Sequence, residues 1–195
     1  MATPEFLGAI VRLLDDTGIP HMVAGSVASS HHGEPRSTQD IDFVIDPTKP
    51  QLSQFLARLD PRRFYFNDGV GALERRDMFN VIEPTTGIKA DLIIRKLRPF
   101  SESEFSRRER VEILGVMTAV ATVEDMILAK LEWAQSSESE RQLRDVAAMM
   151  RVHPAGLDLT YLRRWADELG VRVPLEQLLA SERPMRNKEN DDRRG

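Results

Sequence analysis

Two carboxylates stand at alternate positions of "DIDFVI", Asp40 and Asp42, downstream of the small pair Gly25-Ser26. A third acid, Asp91, lies in "IKADLII". Along an extended strand, residues i and i+2 point the same way, so Asp40 and Asp42 share one face, roughly 6.6 Å apart at Cα. Ile41, Phe43 and Ile45 take the opposite face and anchor the strand in a core. Like charges at that spacing repel, and are comfortable in solvent or when a divalent cation neutralises them. Hard cations such as Mg²⁺ prefer oxygen ligands and keep waters that a substrate phosphate can replace. In the second segment Ile88, Ala90, Leu92 and Ile94 fall on one face, and Lys89 and Asp91 on the other. If the two strands adjoin, Asp91 joins Asp40 and Asp42. Three carboxylates can hold two metals about 3.5–4 Å apart, which suits in-line phosphoryl displacement.

The Gly-Ser pair supplies the complementary chemistry. A helix starting at Ser26 aims free backbone N–H groups at an anion. Gly25 has no side chain to block close approach. Ser26 caps that helix and offers its hydroxyl.

The elements that must position these groups are legible. Thr3-Pro4 opens a helix, Phe6, Leu7, Ile10, Val11 and Leu14 recur at helical spacing, and Gly18 ends it. "IPHMVAG" reads as a buried strand, "SVASSHH" as a short helix with Gly33 past its end, and "DIDFVID" as a strand. Leu52, Phe55, Leu56 and Leu59 mark a second amphipathic helix. "MFNVIEP" and "IKADLIIRK" form a hairpin with Gly87 in its turn. "VEILGVMTAVA" is a second hairpin or a long strand bent at Gly115. After Thr122, "VEDMILAKLEWA", "ERQLRDVAAMMRV" and "LTYLRRWADELG" read as three amphipathic helices, with Trp133, Met149, Met150 and Trp165 in the core. The expected division is a core at 1–121, a helical part at 122–180 and a disordered tail at 181–195, where apolar periodicity stops. The predicted class is α+β: a mixed β-sheet flanked by helices, with a C-terminal helical extension.

The 195 residues are 41% hydrophobic, enough for one compact domain or a core with an appendage. A net charge of −4 gives no general attraction for nucleic acid. The basic clusters at 62–63, 95–98 and 107–110 read as solvated surface. With no cysteine, disulfides, zinc–thiolate sites and cysteine nucleophiles are excluded. The N-terminus shows no basic and apolar leader pattern, and no apolar run approaches the roughly 20 residues of a membrane span. The expectation is a cytoplasmic protein without a membrane partner.

Gly25-Ser26, a short helix, Asp40-x-Asp42 and Asp91 on a later strand resemble the nucleotidyltransferase superfamily that shares the DNA polymerase β core. "EPRSTQDIDF" and "IKADLI" resemble its AbiEii-type toxin and aminoglycoside nucleotidyltransferase branches. "EDMILAKLEWA" followed by "ERQLRDVAAMM" resembles their C-terminal helices, where a Lys and an Arg/Lys-Asp pair flank the nucleotide. Where many of that group carry a second acid three residues after the pair, this chain has Ala148. The resemblance implies Mg²⁺- or Mn²⁺-dependent transfer of a nucleoside monophosphate from an NTP to an acceptor hydroxyl on tRNA, a protein or a small molecule. It also implies a toxin–antitoxin context with an antitoxin protein as partner. Asp40, Asp42 and Asp91 would be catalytic and metal-binding. Gly25, Ser26, Arg36, Thr38, Lys89, Lys130 and Asp145 would contact nucleotide. Several of the last set have a plainer alternative: Arg36 a surface ion pair, Thr38 the start of a strand, Lys130 a snorkelling lysine, Asp145 a salt bridge. The alternative function is a catalytically silent nucleotide- or partner-binding domain of the same fold.

Overall fold

The first helix forms where its sequence signals place it. Thr3 accepts a hydrogen bond from the Phe6 N–H, Pro4 occupies the first turn, and α1 (Pro4–Asp16) buries Phe6, Leu7, Ile10, Val11 and Leu14. Gly18 then adopts φ +63° and turns the chain into β1 (His21–Ala24). The computed structural model describes residues 3–34, 38–137 and 139–182. The expected contact at Arg36 and the expected tail from residue 183 onward lie outside the described residues.

After β1 come α2 (Gly25–His32), β2 (Asp40–Ile45) and α3 (Lys49–Arg58). A capping box starts α3, with Thr48 and Gln51 exchanging side-chain-to-backbone bonds. Next are β3 (Tyr65–Phe66), α4 (Gly69–Arg75), β4 (Met78–Glu83), β5 (Ile88–Ile94) and α5 (Pro99–Arg107). The open alternative around Gly115 resolves as a hairpin of β6 (Glu109–Ile113) and β7 (Val116–Val120). Leu114 and Gly115 turn it with φ +50° and +75°. The chain continues through α6 (Val123–Ser137), α7 (Glu140–Val152), α8 (Leu159–Glu168) and α9 (Arg172–Ser181). Sequence periodicity gave no sign of α4, α5 or α9.

The strands make one mixed sheet in the order β3-β4-β5-β2-β1-β7-β6. β2 runs parallel to β5 and antiparallel to β1, and β4 runs antiparallel to β5. One face is apolar and closed: Val23, Ile41, Phe43, Ile45, Phe79, Val81, Ala90, Leu92 and Ile94 are all fully buried. The period-2 alternation therefore leaves the polar members of β2 and β5 together on the other face. The class is α+β, with a mixed sheet flanked by helices and a helical C-terminal part, as the sequence predicts.

Two expectations need correcting. Trp133 is not core but 60% exposed. The buried face of α6 is filled by Met126, Ile127, Lys130, Leu131 and Ala134, and Trp133 projects away from it. The basic stretch at 107–110 is not simply solvated. Arg107 turns inward to bond Asp125 at 3.1 Å and Glu124 at 3.2 Å, and lies over the Tyr161 ring. Asp125 is fully buried and also accepts from Thr122 and Tyr161, so it needs that cation close by. Arg95 and Arg98 likewise pair with Asp46 and Glu132.

Candidate active site

Register builds the site. Asp42 lies directly beside Asp91 across the parallel β2–β5 pair, and Asp40 lies beside Lys89. Neighbouring strands are about 4.8 Å apart, so the three acids form one compact group on one face. On its other side β2 pairs with β1, placing Ala24 opposite Asp42. Gly25, the next residue, folds over the carboxylate. It has φ +58°, and a Cβ there would stand 1.8 Å from Asp42 Oδ2. Both the left-handed backbone and the close approach restrict this position to glycine.

The Ser26 N–H donates to the Asp42 carboxylate. The start of α2 thus holds an anionic oxygen of this chain, that of Asp42. Ser26 is not the cap, however. α2 begins one residue earlier, at Gly25, with Ala24 as a cap that makes no side-chain bond.

Burial pushes the Asp42 carboxyl above the usual carboxylate range. The charges of Asp91 and Asp40 push the same way, while the Ser26 N–H and the Lys130 ammonium pull it down. Asp91 is also buried, and Asp40 is half exposed. Lys89 stands between them, its Nζ 2.9 Å from Asp91 Oδ2 and 3.9 Å from Asp40 Oδ2. The hydrogen bond to Asp91 raises the ammonium's pKa. Among the described residues no three acids or histidines close into a ready metal cage. The donor set nonetheless fits a hard divalent cation: clustered carboxylate oxygens, one of them on a half-exposed side chain, with the charges of Asp91 and Asp40 acting on Asp42.

The remaining predicted residues sit around this group. Lys130 is buried on α6, and its Nζ donates to Asp145 at 2.7 Å and Gln142 at 2.8 Å, both on α7. It is therefore not a snorkelling surface lysine, and its charge still reaches Asp42. Thr38 bonds the backbone of Asp40, accepting from its N–H at 3.2 Å, and so fixes the start of β2. Sequence reasoning missed Asn80 and Asn67. Asn80 stands opposite Asp91 on β4 and donates through its side-chain amide to Asp91 Oδ1. Asn67 accepts from the Asn80 N–H at 2.8 Å. The signal was the hairpin: once Glu83 pairs with Ile88, counting back places Asn80 against Asp91.

No family model and no curated protein sequence matches the chain. Solved structures do. An antigenic nucleotidyltransferase-like protein from Paracoccidioides brasiliensis superposes with a TM-score of 0.56 at 16% identity, covering 91% of this chain and 92% of that one. The antibiotic-resistance factor ANT(2'')-Ia gives 0.54 at 11% identity, covering 91% and 92%. A lincosamide antibiotic adenylyltransferase bound to lincomycin gives 0.54 at 11% identity, covering 77% of this chain and 98% of that one. These identities speak to architecture: the chain has the nucleotidyltransferase fold.

Proposed function

We propose that the protein transfers a nucleoside monophosphate from an NTP to an acceptor hydroxyl, releasing pyrophosphate. The observation that carries this reading is the Asp42–Asp91 pair in direct register beneath the left-handed Gly25 turn. Asp40, Asp42 and Asp91 would hold Mg²⁺ or Mn²⁺, and when bound the cation would neutralise phosphate charge. Gly25 and Ser26 contact the triphosphate, Ser26 through its hydroxyl, with the Lys130 charge behind them. Arg36, Thr38, Lys89 and Asp145 border the nucleotide. An Asp91 oxygen takes the proton of the acceptor hydroxyl as the hydroxyl oxygen bonds to the α-phosphorus. The bond to the bridging oxygen breaks, and pyrophosphate leaves with its electron pair.

The acceptor belongs to tRNA, a protein or a small molecule, and the protein works in the cytoplasm, as a toxin–antitoxin component in the first two cases. The fold likeness to two antibiotic-modifying proteins supports the small-molecule arm. So does the net charge of −4, which gives no general attraction for RNA phosphates. The test is a screen of labelled ATP, CTP, GTP and UTP with Mg²⁺ against total RNA, total protein and aminoglycosides. Transfer of label to one class is expected. A second reading, a catalytically silent nucleotide- or partner-binding domain, is favoured by the Lys89 ammonium already lying against Asp91. It predicts NTP binding with no transfer to any class.

A further inference from the structure

Asp91 is held more tightly than either of its neighbours, and the grip comes in part from a strand that the proposed chemistry does not use. Lys89 donates to Oδ2 at 2.9 Å. The side-chain amide of Asn80 donates to Oδ1. The two donors come from opposite directions, one along β5 and one across from β4.

The placement of Asn80 is itself fixed. β3 pairs with β4 only at Tyr65–Ile82 and Phe66–Val81. Beyond Phe66 the chain leaves the sheet, and Asp68 caps α4. The next N–H of β4, that of Asn80, would be left open at this edge. Asn67 closes it with its side-chain oxygen at 2.8 Å, and returns a long 3.5 Å contact from its own amide to Asn80 Oδ1. Because the Asn80 N–H points outward to Asn67, Asn80 and Asp91 form a non-hydrogen-bonded antiparallel pair. In such pairs the Cα atoms approach to about 4.5 Å and the side chains lie closest. The reach from the Asn80 amide to the Asp91 carboxylate is a product of this register.

We infer that Asn80 is a positioning residue that fixes the rotamer of Asp91 for its work on the acceptor, with Asn67 setting the strand that carries it. The inference rests on the transfer reading above. A carboxylate gripped by a lysine alone can swing about that one contact. A second, neutral donor on the other oxygen stops the rotation without adding charge to a group that already includes three acids. A charged donor would drain the carboxylate's affinity for a proton or a cation, and an amide does so less. Asp40, by contrast, is half exposed and meets Lys89 at 3.9 Å, beyond hydrogen-bond reach.

The test compares two near-isosteric replacements on the same strand, Asn80→Val and Asn80→Thr. Both suit a β-strand, and only threonine keeps a donor. If Asn80 positions Asp91, Asn80→Val lowers kcat for label transfer by about tenfold to a hundredfold with the KM for NTP little changed. Asn80→Thr recovers most of that loss. The second measurement needs no turnover. The Asp91 Hα–Hβ scalar couplings by NMR should report a single rotamer in the wild-type and threonine proteins, and averaged rotamers in the valine protein. Equal kcat in the valine and threonine variants, or an unaveraged Asp91 in the valine variant, would overturn the inference. A wild-type protein without transfer would retire the enzymatic reading, and the couplings would still decide whether Asn80 fixes Asp91.

Discussion

At the scale of single residues, Asp42 and Gly25 are fitted to one another. Asp42 is an acid whose folded pKa lies above its unfolded value, so the folded state holds more protons between the two. Stability therefore falls as pH rises through that window. Asp42→Asn removes the loss while keeping an oxygen for the Ser26 N–H. Without divalent metal, the variant should melt a few degrees above wild type at neutral pH. The curves should converge below about pH 3, where the wild-type carboxyl is protonated in both states. A variant that melts lower at neutral pH would show that Asp42 is compensated better than its surroundings imply. Gly25→Ala makes the opposite change. It forces a side chain into a left-handed backbone and onto Asp42 Oδ2. An unfolding free energy lower by about 1–3 kcal/mol, with loss of NTP binding, is expected from melting and calorimetry.

At the scale of elements, helices α5 to α8 are tied to one another by buried charge. Lys130 on α6 meets Asp145 on α7 in a pair with little solvent access. Lys130→Met strands that carboxylate and should cost about 3 kcal/mol, while Lys130→Met with Asp145→Leu should recover most of it. Equal losses in the single and double variants would mean that the two groups are not coupled. Glu104 on α5 is a second case. Burial, then the charge of Asp125, pushes its carboxyl up to about 8. Its folded pKa is raised, so the stability it contributes declines as pH rises from about 4.5 to about 8 and then levels off. Glu104→Gln should flatten the melting profile over that window and leave the protein more stable than wild type above it. Parallel profiles for the two proteins would contradict a buried, protonated Glu104. Neither feature could be read from the sequence. Period-2 and period-3.6 patterns locate apolar faces, and so gave α1, β2, β4, β5, α6, α7 and α8. They are silent on which charged residues turn inward, as Arg107 and Lys130 do. They also miss helices with too few large apolar residues to mark a face, such as α4, and they placed Trp133 in the core because it is large and apolar.

At the scale of the whole molecule, a mixed sheet with one closed apolar face presents three acids, a lysine and a glycine turn on its other face. Most of that site was legible, because strand alternation fixes the facing of Asp40, Asp42 and Asp91 once the strands are located. What the sequence could not supply was strand order. Only the β2–β5 adjacency puts Asp91 beside Asp42, and only the β1–β2 register brings Gly25 over it. The proposed division of labour has Asp40 and Asp42 holding metal-bound nucleotide and Asp91 serving the acceptor. Asp91→Asn tests it most directly, measured by calorimetry with a non-hydrolysable NTP and by label transfer to the accepted substrate, both with Mg²⁺. NTP affinity should stay close to wild type with transfer lost, whereas Asp40→Asn with Asp42→Asn should lose both. Transfer at the wild-type rate in Asp91→Asn, or NTP binding that is indifferent to all three acids, would contradict it.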